Sequence, residues 1–145
     1  MTYNPLANFP PQTMYSARKG VNANTSTLNK GTPVRVIPSG EIDKVDPSIE
    51  SHIDSIVGVV KQNVPSGNQG DIVTSGTIED VTTSASIGQL VYLSKTGGLT
   101  STKPNIGVDG FLPGDWVVKI GVIAKNNTNP TQKDLVVDIQ VIGQL

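Results

Sequence analysis

His52 is the only histidine of the chain and lies in Glu50-Ser-His-Ile-Asp54, where flanking carboxylates could orient an imidazole for general-base work. A hydrolase also needs a nucleophile within reach of that base, and no Gly-x-Ser-x-Gly elbow accompanies it. The stretch therefore reads as a polar segment on a short helix or loop, and no catalytic residue is assigned. Asp43, Asp46, Glu50 and Asp54 gather near the same point in the sequence. Carboxylates of this kind suit a hard cation, but their spacing does not follow an EF-hand loop, so a solvated acidic loop is expected and no metal or cofactor.

Three further patterns carry possible chemistry. Gly67-Asn-Gln-Gly70-Asp71 has the glycines of a phosphate loop but not the Gly-Lys-Ser/Thr ending or following helix that would supply a lysine and a helix N-terminus. It reads as a turn ahead of a strand. Asn24-Thr-Ser26 and Asn126-Asn-Thr128 match the glycosylation acceptor pattern, as an Asn- and Thr-rich chain does by accident. Trp116, Phe111 and Tyr92 could stack on a sugar ring, although their places within strands or beside Pro113-Gly114 fit core and corner packing better.

The elements that must position these residues are strands. Val, Ile and Thr make up 45 of the 145 residues, and Gly with Pro another 25, a mixture that suits pleated surfaces and breaks helices. A net charge of -1 gives no electrostatic footprint for nucleic acid or for an anionic membrane. The absence of cysteine removes disulfides and thiolate metal sites, so stability must come from packing or assembly. No apolar run approaches the roughly 18 residues of a membrane span, and a soluble, unexported protein is expected.

Residues 1–29 stand apart. Arg18 and Lys19 are their only charges, and Tyr3, Leu6, Phe9, Met14 and Tyr15 are scattered without a helical or strand period. The segment reads either as a disordered leader or as an extended N-terminal arm that orders against a partner, with Tyr3, Leu6, Phe9, Tyr15, Arg18 and Lys19 as partner-binding anchors. Residues 30–145 form the β-rich domain. Its strand signals are Thr32 to Ile37, Ser55 to Lys61, Asp71 to Ser75, Thr77 to Thr82, Gln89 to Ser94, Trp116 to Lys125 and Asp134 to Ile142. Lys95 to Gly98 is expected to turn one hairpin through Gly97 and Gly98, and Gly76 another. Asp46-Pro47-Ser48-Ile49-Glu50 could cap a short helix carrying Ile49, Ile53 and Ile56 on one face.

An internal echo runs through this domain. Gly31-Thr-Pro-Val34 matches Gly88-Gln-Leu-Val91, Ile56-Val-Gly58-Val-Val60 matches Lys119-Ile-Gly121-Val-Ile123, and Asp71-Ile-Val73 matches Asp134-Leu-Val136. The echo implies two similar β units sharing one core, with loops of different length. Gly58 and Gly121 inside Val/Ile strands are expected at bends or close backbone approaches. The fold expected is all-β: a small sandwich or barrel of two such units, with the arm and one short helix.

These motifs, with Gly70-Asp-Ile-Val73, Gly97-Gly-Leu-Thr100 and Val118-Lys-Ile-Gly-Val-Ile123, resemble the capsid decoration (cement) proteins of tailed bacteriophages and the related head-fibre base domains, over residues 31–143. The resemblance implies a structural virion protein with no enzymatic activity. It implies a homotrimer, made in the host cytoplasm, that sits on the outer capsid surface and bridges subunits of the major capsid protein. Neighbouring expectations are a head-fibre base, neck or tail component and, from another class, a carbohydrate-binding module using Trp116, Phe111 or Tyr92. An enzyme built on His52 is the remaining alternative.

Overall fold

The computed structural model describes residues 16–145. Nine strands and one short helix follow in order: β1 (Ser16–Val21), β2 (Pro33–Val36), β3 (Ile42–Lys44), α1 (Glu50–Asp54), β4 (Ile56–Val60), β5 (Gln69–Ile78), β6 (Leu90–Leu93), β7 (Leu99–Thr100), β8 (Trp116–Lys125) and β9 (Lys133–Gln144). They make one antiparallel sheet in the order β3-β2-β4-β5-β9-β8-β6-β7, with β1 added to β5. The sheet curls into a half-barrel. At the β1 end a parallel bridge joins Asn22 to Ile42, and Ala23 donates to the Ile42 carbonyl at 2.9 Å, so this half of the sheet bends back on itself.

The echo in the sequence is a repeat in the structure. Val34 pairs with Gly58 and Val91 with Gly121; Val59 pairs with Val73 and Val122 with Val136. The equivalence extends to backbone bonds outside the ladders. Gly31 N–H donates to Val60 C=O and Gly88 N–H to Ile123 C=O, while Val60 N–H reaches Thr32 C=O and Ile123 N–H reaches Gln89 C=O. Both hairpins close alike, Ile37 N–H on Glu41 and Gly40 N–H on Ile37 in one, Ser94 N–H on Gly98 and Gly97 N–H on Ser94 in the other. The second hairpin is the expected turn at Lys95 to Gly98. We refer to β2–β5 as the first unit and β6–β9 as the second.

Each unit carries its own core. Val34, Val60 and Ile72 of the first unit pack with Leu28, Ile42 and Val64; their counterparts Val91, Ile123 and Leu135 pack with Leu93, Val118, Ile120 and Val137 in a larger cluster. Val59 and Val73, on the opposite face of the first unit, belong to that larger cluster too. The back of the first unit thus covers the core of the second, and β4 and β5 are buried on both faces at Val59, Val60, Ile72 and Val73.

Gly58 and Gly121 occupy equivalent points of close approach. A Cβ on Gly58 would run into the Val73 carbonyl, and one on Gly121 into the Val136 carbonyl. Gly76 differs from expectation: it makes no hairpin. β5 runs unbroken from Gln69 to Ile78, and Gly76, at φ 112°, marks where that strand leaves β1 and β4 and takes β9 as partner through Gly76–Val137. A positive φ inside a strand bends it without ending it.

The helix is shorter than the cap signal implied. α1 begins at Glu50 with Ile49 at the N-cap and no side-chain cap bond. Asp46 instead accepts from the Ser48 N–H at 2.9 Å and hydroxyl at 2.6 Å, which closes a turn before the helix. Ile53 is buried, Ile49 is exposed, and Ile56 already belongs to β4.

Candidate interaction surfaces

His52 lies half-buried beside a polar hollow of about 270 Å³ lined by Arg35, Asp43, Asp46 and Lys95 among others. Its Nδ1 accepts the Asp46 N–H at 3.1 Å, a bond only the neutral imidazole can make. Burial, with the Arg35 charge nearby, holds its pKa below the ordinary 6.5. Asp46 is held below the usual carboxylate range by the Ser48 hydroxyl and N–H. Asp43 accepts from the Asn24 amide at 2.9 Å and from the Lys44 N–H at 2.7 Å. Each group is thus engaged in shaping its own loop. Among the described residues no group of three or more His, Asp or Glu is arranged to hold a metal ion.

The other motifs also resolve into structure. Gly67-Asn-Gln-Gly70 is a turn leading into β5, closed by Asn68 N–H on Pro65. Asn24 is tied to Asp43, and Asn126 is buried, donating to Asp134 while its oxygen accepts from Thr128 and Asn129. Phe111 and Tyr92 are buried and Trp116 packs half-buried against the larger core, so the aromatics present no joint platform.

Of the six anchors assigned to the arm, Tyr3, Leu6, Phe9 and Tyr15 lie outside the described residues. Arg18 and Lys19 are exposed on β1, where Lys19 reaches Asp71 at 2.8 Å. β1 pairs along β5 from Ser16 to Val21, and Leu28 is fully buried, so this part of the segment is built into the half-barrel. Asn22 holds it there. Its amide donates to the Ser26 and Val64 carbonyls and its oxygen accepts from Asn24 N–H.

Among the described residues two apolar surfaces remain uncovered, neither singled out by the sequence. At one end, the loop before β8 and the end of β9 enclose an open groove of about 440 Å³, lined by Pro104, Asn105, Val117, Ile142 and Leu145 among others. Ile142, which lines it, is about half exposed, as are its strand neighbour Val141 and, in the loop before β8, Ile106 and Leu112. Asp115 braces the loop, accepting Lys95 Nζ at 2.7 Å and the Leu112 N–H at 2.8 Å. The signal available in sequence was the run Ile139-Gln-Val-Ile-Gly-Gln-Leu145, which carries no charge, unlike the blunted edge strands of most sheets. The second surface is the outer wall of the second unit. Leu90, Val122, Val136 and Thr77 stand directly opposite one another across β6, β8, β9 and β5. Their strand neighbours Val91, Ile123, Leu135 and Ile78 are buried, so this row faces outward. The Lys119–Asp138 ion pair at 3.2 Å flanks it.

No protein-family model matches the chain, and no curated protein is significantly similar to it.

Proposed function

We propose that this chain is a structural component of a tailed-bacteriophage virion, binding the outer capsid surface as a decoration protein that bridges and stabilises major capsid protein subunits. The observation that carries the reading is the apolar end around Ile106, Leu112, Val141 and Ile142, set on a braced loop and the closing strand of an otherwise well-packed β fold. Exposed aliphatic groups beside an open groove suit a protein-binding surface. The resemblance over residues 31–143 supplies the kind of partner. Many copies on a repeating shell gain from multivalency, so each contact can be modest. Self-assembly as a homotrimer fits the same reading, with the arm residues Tyr3, Leu6, Phe9 and Tyr15 as a second contact.

The test is co-sedimentation of the purified full chain with empty shells of the major capsid protein encoded by the same genome. Burying one aliphatic side chain is worth about 1.5 to 3 kcal/mol, so Leu112→Lys and Ile142→Lys are each expected to weaken binding about tenfold or more. Binding unchanged in both variants would refute the assignment of this surface, and no binding by the wild-type chain would refute the function.

A further inference from the structure

The repeat assigns a counterpart to Leu90, Val122 and Val136 of the outer wall. Leu90, Val122 and Val136 of the second unit stand where Pro33, Val59 and Val73 stand in the first, by the shared pairing with Gly121 and Gly58 on the neighbouring row. In the first unit this face is covered: Pro33 is buried and Val59 and Val73 are fully buried within the larger core. In the second unit the same face is open. Leu90 is 42% exposed, Ile87 just before it 51%, and Val122 and Val136 are half-buried. Among the described residues one such face is therefore docked on apolar side chains of the same chain, and the equivalent face has none above it.

We infer that the outer wall centred on Leu90, Val122 and Val136 is a self-association surface, covered in solution by a second copy of this chain. The composition of the patch fits that occupant. Its centre is aliphatic and uncharged. The Lys119–Asp138 ion pair lies along one side, as charged groups do at the rim of a protein interface. A sheet face stacks on another with side chains interdigitated, as the first unit's back does on the second unit's core. The inference rests on the self-assembly part of the proposed function and names its surface, and it uses none of the residues assigned to capsid binding.

The experiment uses the free full-length chain and no particle, so its failure is distinct from failure to bind shells. Solution mass is measured by sedimentation velocity across a dilution series. The wild-type chain is expected at a multiple of 15.2 kDa. Leu90→Lys and Ile87→Lys, at exposed positions, are expected to weaken association more than tenfold with the circular dichroism spectrum unchanged. Val141→Lys, on the other apolar surface, is expected to associate as the wild type does. A wild-type chain that stays at the mass of one copy at every concentration overturns the inference. So does association that survives both Leu90→Lys and Ile87→Lys, or that is lost in Val141→Lys alone.

Discussion

Replacing Gly121 by alanine is expected to damage the fold severely for a single added methyl. Gly121 sits in β8 opposite Val137 of β9 and Val91 of β6, and a Cβ there would collide with the Val136 carbonyl oxygen and lie 3.1 Å from Leu135 Cδ1. A side chain in that path could rotate aside, but a carbonyl within the β8–β9 ladder cannot move without breaking its pairing. The ladder runs from Trp116–Gln144 to Lys125–Lys133 and supports the larger core, so local relief spreads. Overpacking of this rigidity costs about 3 to 5 kcal/mol, a large part of the roughly 5 to 15 kcal/mol that stabilises a domain. At about 3 °C per kcal/mol for a chain of this size, the thermal midpoint should fall by about 10 to 15 °C. Gly58→Ala, blocked by the Val73 carbonyl, should behave alike. Gly143→Ala, with nothing within 4 Å, is the control and should change stability by less than about 0.5 kcal/mol. Urea unfolding followed by far-ultraviolet circular dichroism measures all three. Gly121→Ala within about 1 kcal/mol of wild type would refute the close-approach argument.

Other outcomes follow from the same structure. Lys95→Met leaves the Asp115 carboxylate, only 4% exposed, buried without its cation and is expected to cost about 3 kcal/mol in urea unfolding. Leu28→Ala, in a fully buried site of the smaller core, should cost about 2 to 5 kcal/mol; an effect below 1 kcal/mol would mean that the segment before β2 is not anchored as described. His52 has a folded pKa below its ordinary 6.5, so the unfolded chain binds the proton more readily. Its contribution is present above pH 6.5 and is lost as pH falls from there through the folded value. His52→Asn, whose amide oxygen can still accept the Asp46 N–H, should flatten stability over that window in a pH series. Asp46, also depressed, acts lower: its contribution is present above about pH 3.8 and lost on further acidification, and Ser48→Ala should reduce that loss.

Much of the fold was legible because it is written in side-chain alternation. Trp116–Lys125 reads as a strand and is one, and the glycine-marked echo fixed which residues of the two units would be equivalent, Gly58 with Gly121 above all. β1 was not legible. Ala17, Arg18 and Lys19 are all exposed, so no buried face leaves a pattern; the strand is held by backbone pairing to β5 and by Gly20, where a Cβ would sit 2.8 Å from Ile42 and Ile72 methyls. Gly76 reads as a turn because glycine signals positive φ in either case, and only the change of partner from β1 to β9 tells a bend from a hairpin. The apolar surfaces were hidden for a different reason. Leu90 and Val122 belong to apolar runs like those of the core, and what separates them is that among the described residues nothing is stacked on the outer face of the second unit.

The most direct measurement is immunogold electron microscopy of particles from cells that make this chain, with label counted over shell, neck and tail. Label distributed over the capsid surface in many copies per particle is the expected result. Label confined to the neck or tail, or absent from particles altogether, would contradict the decoration function.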